Sequence, residues 1–434
     1  MLRIARSPPG PAPPDGRSGR TGPACGADFA GSILVVFPIG TAIAASPGAV
    51  ESMLKPNTGG GGGPRAGLGR ACAGLATSGS GGVGVSGHGG GGGSAAGEAG
   101  ASGAGAGGSS GGAASACPPV PASASLVDVA TAIDAGIKAS QPDDSDAVAL
   151  PTDAERDAFA TAVYQAIHGD FAAACTLPPS YRFYDLDDAG VGRWLLVSEW
   201  DASSGTSQPT KGWGAYARLA MPAGAPRELA VEAPHPVKDS YTSVESADVA
   251  EKAFARYWMV AGSNRCADTH ASGCDGTTNA CGPNAEGTKA FRDSDAAHAT
   301  KLPFWKVHAA LSDAEPTVAF LQLHGNSASG CPGVDSMTAG ALVSDSSGSW
   351  SATGSAGQFA AALEGQIAEI GRCGLDASTC DLCGTDNVEA RASAGSTDAC
   401  TTKGTLYGRF VHVEQSIALR KAYDPIVGAT LATF

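Results

Sequence analysis

The chain has 434 residues, a length that allows two or three domains, and 62 of them are glycine. Its 42 acidic residues outnumber the 28 basic residues, which gives a formal net charge of −14. This excess of negative charge disfavours contact with a phosphate backbone, so we predict no nucleic-acid partner.

The beginning of the chain has the features of a targeting segment. Residues 29–45 form an apolar run that ends in small residues, which is typical of a signal-peptide core with cleavage after Ala45. Pro38 and Gly40 interrupt this run, so we predict no stable membrane span in the mature protein. We assign residues 1–50 to a signal-like segment and leave open whether the protein is tethered to the cell envelope.

The following segment predicts a flexible linker. Residues 59–116 consist almost entirely of Gly, Ser and Ala, which bury too little apolar surface to offset the entropy of folding. Such a composition is typical of a disordered tether. We therefore predict a disordered linker over residues 51–124 and a helical lead-in over residues 125–152.

Helices and strands alternate in the rest of the sequence. Helical spacing of apolar residues predicts helices over residues 125–138, 153–174, 243–259, 304–311, 358–370 and 416–422. Runs with strand character cover residues 193–199, 215–221, 228–232, 317–323 and 409–413. A turn at residues 222–224 predicts a hairpin between the second and third of these strands. The alternation predicts an α/β domain over residues 153–434, with a mixed, mostly parallel sheet flanked by helices.

Cysteines indicate the compartment of that domain. Nine of them lie in its sequence, at Cys175, Cys266, Cys274, Cys281, Cys331, Cys373, Cys380, Cys383 and Cys400. Cys117 makes the number even, and this density in polar loops predicts disulfides and a secreted or cell-envelope protein of a bacterium. Cys380 and Cys383 form a CxxC pair, so half of a zinc knuckle or a redox pair is the alternative.

Candidate metal ligands occur at predicted strand ends, where sites lie in α/β sheets. His235 and Asp239 follow the third predicted strand, and His324 follows the fourth. Two histidines and one carboxylate are a known ligand set for catalytic zinc, which keeps one position open for water. We predict zinc as the cofactor with these three ligands, and Glu232 or Glu245 as the alternative acidic ligand.

A second carboxylate is available on the last predicted strand. Glu414 lies two residues after His412, and strand alternation places both side chains on one face of the sheet. A carboxylate that faces a zinc-bound water can accept its proton and pass it to the leaving nitrogen. We therefore predict Glu414 as the general base and His412 as a substrate contact.

These segments also resemble a known family. The matching patches, in chain order, are residues 232–235 (EAPH), 239–242 (DSYT), 323–325 (LHG) and 412–414 (HVE), followed by Arg420. Their order is similar to that in phage-type poly-γ-glutamate hydrolases, which share the fold of the zinc metallocarboxypeptidases. The resemblance implies a zinc-carboxypeptidase-like fold and the same roles for the three ligands and the base.

Two further positions are candidates for substrate binding. Asn264 and Arg265 look like the Asn-Arg pair with which metallocarboxypeptidases hold the terminal carboxylate of a substrate, and a guanidinium fork suits that group. The alternative is a surface arginine beside a disulfide loop. His298 is a further candidate for contact with the substrate or an additional metal.

The other histidines have weaker patterns. Asp268, His270 and Asp275 lie in a loop that resembles a small cation site, although such loops are often turns. His168 and His308 lie in helical patterns, and we predict structural roles for both.

The combined pattern predicts an exported zinc-dependent hydrolase of amide bonds, with a peptide or a γ-glutamyl polymer as substrate. No phosphate-binding loop and no nucleophile-elbow motif occurs, and Ser327 and Ser329 near His324 lack a strand-to-helix turn. The first alternative is an N-acyl amino acid deacylase similar to N-formylglutamate amidohydrolases. The second is a non-catalytic, disulfide-rich surface module that binds polymers or peptides.

Overall fold

Twelve strands and eight helices make up the part of the chain that the computed structural model describes, which is residues 117–281, 289–326, 331, 338–376 and 382–434. The strands are β1 (Val120–Ser123), β2 (Arg182–Asp188), β3 (Gly192–Ser198), β4 (Trp200–Asp201), β5 (Thr206–Ser207), β6 (Ala215–Pro222), β7 (Arg227–Ala233), β8 (Ala255–Val260), β9 (Ala319–Gly325), β10 (Gly340–Ser344), β11 (Glu369–Arg372) and β12 (Phe410–Gln415). The helices are α1 (Leu126–Ser140), α2 (Asp153–Ile167), α3 (Thr242–Ala253), α4 (Pro303–Ala314), α5 (Ser355–Leu363), α6 (Val388–Ser393), α7 (Ile417–Lys421) and α8 (Asp424–Thr433). The predicted signal-like segment, most of the predicted linker, Cys380, Ser327 and Ser329 lie outside the described residues.

One mixed sheet of ten strands organises the domain, in the order β1-β2-β3-β6-β8-β7-β9-β12-β10-β11. The four central strands, β8, β7, β9 and β12, run parallel to one another. Antiparallel pairs flank them on both sides, and β4 and β5 form a separate small ribbon. The predicted α/β class with a mixed sheet is confirmed.

Helices cover both faces of this sheet. Alternate residues of β9 point to opposite sides, so Leu321 joins one core and Phe320 joins the other. Helices α1, α3, α5 and α8 pack on the side of Leu321, whereas α2, α4 and α6 pack on the side of Phe320. The central strands are thus buried on both faces, as expected for parallel strands.

The predicted hairpin between β6 and β7 is wrong. Strand β8 lies between them, antiparallel to β6 and parallel to β7. The predicted helix over residues 243–259 ends at Ala253, and Phe254 adopts a left-handed conformation with φ of 49° before β8 begins. The parallel pair β7 and β8 needs a crossover helix, which α3 supplies. Strand β8 escaped prediction because it is buried on both faces, so its apolar run shows no alternation.

The folded domain also includes residues that the sequence pattern assigned to linker and lead-in. Strand β1 pairs in parallel with β2, and α1 buries Leu126, Val129 and Ile137 in the same core as the central strands. The boundary predicted at residue 153 is therefore too late. A four-residue strand whose partner lies some 60 residues further along the chain leaves no local periodicity to detect.

The starts of the first two helices follow their local sequences. Ser125 accepts a hydrogen bond from the backbone of Asp128, and the Asp128 carboxylate accepts one from the backbone of Ser125. Thr152 and Glu155 form the same reciprocal pair at the start of α2. These capping boxes satisfy backbone donors that would otherwise lack partners, and α2 begins at Asp153, as predicted.

Four disulfides join pairs of cysteines that both lie among the described residues. They join Cys117 with Cys175, Cys266 with Cys281, Cys274 with Cys400, and Cys373 with Cys383. Cys117 thus has the role that the even count predicted. Because Cys383 is bonded to Cys373, it is not available to a CxxC metal or redox site. Among the described residues, no helix is long and apolar enough to cross a membrane.

Candidate metal centre

The site lies at the carboxyl ends of three neighbouring parallel strands, β7, β9 and β12. His235 follows the end of β7, His324 is the sixth residue of β9, and Glu414 is the fifth residue of β12. His324 and Glu414 are directly opposite each other in the parallel register, as are Gln322 and His412. These four side chains therefore share one face of the sheet and converge at its carboxyl edge.

His235, Asp239 and His324 come together in a geometry that suits a metal ion. Oδ2 of Asp239 lies 3.2 Å from Nδ1 of His235 and 3.5 Å from Nδ1 of His324. One ligand atom from each residue lies within 4.8 Å of the others, and all three residues are buried. Ligands about 2.1 Å from a tetrahedral zinc are separated by roughly 3.4 Å, so the observed spacing fits that ion.

The far nitrogen of each imidazole is held by an acceptor. Nε2 of His235 donates to Oδ1 of Asp295 at 2.8 Å, and Nε2 of His324 donates to Oε1 of Gln322 at 2.7 Å. Carboxylate and amide oxygens accept hydrogen bonds and cannot donate them. His324 therefore keeps its proton on Nε2 and presents a lone pair on Nδ1, the arrangement typical of metal-binding histidines. His235 differs, because its Nδ1 also faces a carboxylate oxygen, Oδ2 of Asp239, at 3.2 Å.

Asp295 is the main residue of the site that the sequence did not reveal. Arg265 donates to its Oδ2 from Nε at 3.0 Å and from Nη2 at 2.6 Å, and His298 donates to its Oδ1 at 3.0 Å. Although burial raises the pKa of Asp295, the charge of Arg265 and the two histidines hold that pKa well below its usual range. Asp295 is thus an ionised carboxylate that orients His235. The only sequence signal was its position three residues before His298.

The structure separates the predicted pair of substrate-binding residues. Asn264 directs both amide hydrogens away from the cluster, to the backbone oxygen of Gln141 at 3.0 Å and to Oδ1 of Asp143 at 2.9 Å. It fastens the segment after α1 and does not join the site. Arg265 does reach the site, where its Nη1 lies 3.3 Å from Nδ1 of His235. Two of its nitrogens are occupied by Asp295, so only Nη1 faces the candidate ligands.

His412 and Glu414 lie beside the first three ligands. Nε2 of His412 is 3.6 Å from Oε1 of Glu414, and the rings of His412 and His324 are 4.4 Å apart at their centroids. With His324 they form a second group that could hold a metal. Nδ1 of His412 is buried and makes no hydrogen bond among the described residues.

Burial and neighbouring charges set the protonation of the cluster. Burial raises the pKa of Glu414 to about 8, and the negative charge of Asp239 acts in the same direction. Burial lowers the pKa of His324 to about 4 and keeps the pKa of His412 well below its usual range. Burial also opposes ionisation of Asp239, but His235 outweighs it and lowers the pKa of Asp239. Burial and the charge of Arg265 act against protonation of His235, but Asp295 and Asp239 outweigh them and raise its pKa. The neutral rings of His324 and His412 and the ionised Asp239 are forms that bind a cation, whereas His235 would bind one only after losing a proton.

The alternative acidic ligands lie elsewhere. Glu232 accepts hydrogen bonds from Nδ1 of His308 at 2.7 Å and from Nε2 of Gln322 at 3.0 Å, beneath the cluster. Glu245 accepts one from Gln415 at 3.1 Å and belongs to no group of metal ligands among the described residues. Asp239 is therefore the acidic residue that joins the two histidines.

The remaining histidines occupy other parts of the domain. His308 is fully buried in the core, and His168 contacts the backbone oxygen of Tyr164 and the hydroxyl of Tyr257. His270 is exposed and groups with Asp268 and with Asp146. The third predicted member of that loop site, Asp275, instead pairs with Arg391. The predicted cation loop thus has a different composition from the one expected.

No protein-family model, curated protein or solved structure matches this chain. The similarity to poly-γ-glutamate hydrolases therefore stays a prediction from short sequence patches. The zinc-carboxypeptidase-like topology also stays a prediction.

Proposed function

We propose that this protein is an exported zinc-dependent hydrolase of amide bonds in peptides or γ-glutamyl polymers. The observation that carries the proposal is the convergence of Nδ1 of His235, Oδ2 of Asp239 and Nδ1 of His324 within 4.8 Å. Two histidines and a carboxylate are a ligand set of zinc hydrolases that keeps a position open for water. A second carboxylate, Glu414, lies directly opposite His324 on the next strand.

The chain's residues have distinct tasks in this proposal. A bound zinc ion supplies Lewis acidity and lowers the pKa of a coordinated water. His235 and His324 would hold it through Nδ1, and Asp239 through Oδ2. Asp295 keeps the His235 ring in place through its hydrogen bond at 2.8 Å. Because the ligands are buried, little reorganisation would accompany binding.

Glu414 is the proposed proton carrier. It accepts the proton of the attacking water as the new carbon–oxygen bond forms and donates that proton to the leaving nitrogen as the amide bond breaks. His412, 3.6 Å from Glu414, is the proposed contact for the substrate carbonyl. His412 donates or accepts as a neutral ring because burial lowers its pKa.

Recognition of a substrate carboxylate is assigned to Arg265 alone. Asn264 is left out because both of its amide hydrogens are engaged by the segment after α1. Nη1 of Arg265 is the nitrogen not bonded to Asp295, and it faces the candidate ligands. His298 stacks on Phe291 with 3.8 Å between ring centroids, so its proposed task is to support Asp295.

Secretion or attachment to the bacterial cell envelope is part of the proposal. Four disulfides bridge loops of the described domain, and disulfides persist mainly in oxidising compartments. The signal-like segment at residues 1–50 is consistent with that destination.

Metal content of the oxidatively folded full chain tests this proposal. We expect about one zinc per chain, at least tenfold weaker binding in His235→Ala and His324→Ala, and unchanged binding in His168→Ala. His168 is the matched control because, among the described residues, it belongs to no group that could hold a metal. A folded native protein that binds no zinc would overturn the proposal.

Substrate screening then separates the possible activities. Cleavage of γ-glutamyl or peptide substrates should fall by at least about 100-fold in Glu414→Gln, with zinc retained, because a general base is lost. Release of a small acid from an N-acyl amino acid would identify a deacylase instead. Zinc binding without hydrolysis of any of these substrates would indicate a binding module.

A further inference from the structure

A buried polar network lies behind the candidate ligands. Gln322 stands at its centre on β9, fully buried. Its Oε1 faces Nδ2 of Asn387 at 2.5 Å and Nε2 of His324 at 2.7 Å. Its Nε2 donates to Oε2 of Glu232 at 3.0 Å and lies 3.4 Å from Oε2 of Glu389. Four polar side chains from three elements thus surround one amide.

These neighbours permit only one orientation of the Gln322 amide. Asn387 caps α6, and its Oδ1 accepts the backbone N–H of Ala390 at 2.9 Å, so its Nδ2 is the end that points to Gln322. A donor must meet an acceptor, so Oε1 of Gln322 faces Asn387. The opposite side of the amide faces Oε2 of Glu232 at 3.0 Å, an acceptor that requires the NH₂ group. Both ends therefore enforce the same orientation.

This orientation determines the tautomer of His324. Oε1 of Gln322 has lone pairs and no hydrogen, so Nε2 of His324 must carry the proton. We infer that Gln322 is a positioning residue that makes His324 a metal ligand through Nδ1, with Asn387, Glu232 and Glu389 holding the amide in place. This inference rests on the proposed metal site and assigns a residue that neither the ligand set nor the base includes.

The network exists only in the assembled fold. Gln322 is in register with Glu232 of β7 and with His412 of β12, so three parallel strands meet at its position. Asn387 and Glu389 come from the start of α6, about 65 residues later in the chain. The network continues from Glu232 to His308 and then to Ser393, at 2.7 Å and 2.6 Å.

Two measurements test the inference without reference to catalysis. The first is the tautomer of His324 in the metal-free native protein, read from the nitrogen chemical shifts of its ring by NMR. We expect the proton on Nε2. The second is the zinc dissociation constant, measured by competition with a chromophoric chelator. In Gln322→Met, which has similar volume and no amide, we expect that constant to rise by about 10- to 100-fold.

Two further variants separate positioning from a general effect on the core. Asn387→Ser keeps a helix-capping oxygen but removes the donor to Gln322, so we expect a smaller rise, about 3- to 10-fold. Ser393→Ala removes a contact at the far end of the network, and we expect a change below about 2-fold. Equal losses in Gln322→Met and Ser393→Ala would show a merely structural role.

Several results would overturn the inference. A proton on Nδ1 of His324 in the native protein contradicts it directly, as does unchanged zinc affinity in a folded Gln322→Met variant. If that variant does not fold, the native tautomer and the affinity of Asn387→Ser decide. Failure of the native protein to bind zinc at all would instead overturn the proposed function, while a proton on Nε2 would still support the assigned orientation of Gln322.

Discussion

Two glycines make room for side chains beside the candidate ligands. A Cβ at Gly325 would lie 2.2 to 2.6 Å from the guanidinium of Arg420. Arg420 in turn donates from Nη1 to the backbone oxygen of Ser240, next to Asp239, at 2.9 Å. Gly384 has φ of +63°, and a Cβ there would approach the His412 ring at 3.1 Å. The residue after His324 is therefore glycine because Arg420 packs flat against it.

We predict that Gly325→Ala displaces Arg420 and lowers the free energy of unfolding by about 1–3 kcal/mol, as overpacking does in buried sites. The Ser240 contact would move with it, so the zinc affinity should fall too. Urea unfolding measures the first effect. Gly354→Ala is the control, because no neighbour lies closer than 3.8 Å to the added Cβ, and its cost should stay below about 1 kcal/mol. Equal stability of the Gly325→Ala variant and the native protein would contradict this interpretation.

Two carboxyl groups from different elements meet at the first turn of α1. Oε1 of Glu251, on α3, accepts the backbone N–H of Val127 at 3.0 Å, and Asp188 approaches from β2. Burial raises the pKa of Glu251 to about 8, and the nearby Asp188 adds to this effect. Burial also raises the pKa of Asp188. These groups accept hydrogen bonds from backbone N–H groups that lack a partner within the helix, but their burial makes ionisation unfavourable.

The raised pKa of Glu251 predicts that the free energy of unfolding depends on pH. The folded pKa of Glu251 lies above its unfolded value of 4.5, so its stabilising contribution is complete below pH 4.5 and is lost as pH rises to about 8. The free energy of unfolding of Glu251→Gln should therefore fall less than that of the native protein between pH 5 and about pH 8. Chemical unfolding at a series of pH values measures the difference.

A carboxylate with the opposite shift provides the control for that experiment. Hydrogen bonds from Thr152 lower the pKa of the exposed Glu155, so its contribution is lost only as pH falls below its unfolded value of 4.5. Glu155→Gln should leave the decline between pH 5 and about pH 8 unchanged. Identical pH profiles for native protein and Glu251→Gln would show that Glu251 and Asp188 are solvated.

The disulfides differ greatly in the sequence separation of the two cysteines that they join. Cys274 and Cys400 are 126 residues apart, whereas Cys373 and Cys383 are 10 residues apart. The first pair ties the loop after Arg265 to the segment before β12, the strand that carries His412 and Glu414. The entropy lost by the unfolded chain grows with the length of the closed loop.

We therefore predict that the two bridges contribute unequally to stability. Replacement of Cys274 and Cys400 by serine should lower the free energy of unfolding by about 5 kcal/mol, and replacement of Cys373 and Cys383 by about 3 kcal/mol, in the chain-entropy treatment. Urea unfolding of both double variants under oxidising conditions measures the ranking. The second variant is the matched control for loss of a disulfide as such, and a reversed ranking would contradict the loop-length argument.

Features that depend on neighbouring residues could be predicted from the sequence alone. The capping boxes at Ser125 and Thr152 and the alternation of helices and strands follow from residue type and local spacing. The disulfide role of Cys117 follows from the even number of cysteines. The residues His235, Asp239 and His324 were also identifiable, because they follow apolar strand runs whose carboxyl ends meet in a parallel sheet.

Features that depend on contacts between distant residues were decided only by the tertiary structure. The insertion of β8 between β6 and β7 required the crossover through α3. Asp295 reaches His235 across 60 residues, and Asn264 turns to the end of α1 across more than 120. Gln322 acquires its orientation from β7 and α6 together. Local patterns contain no information on these pairings, because packing of the assembled sheet and helices selects which polar groups meet.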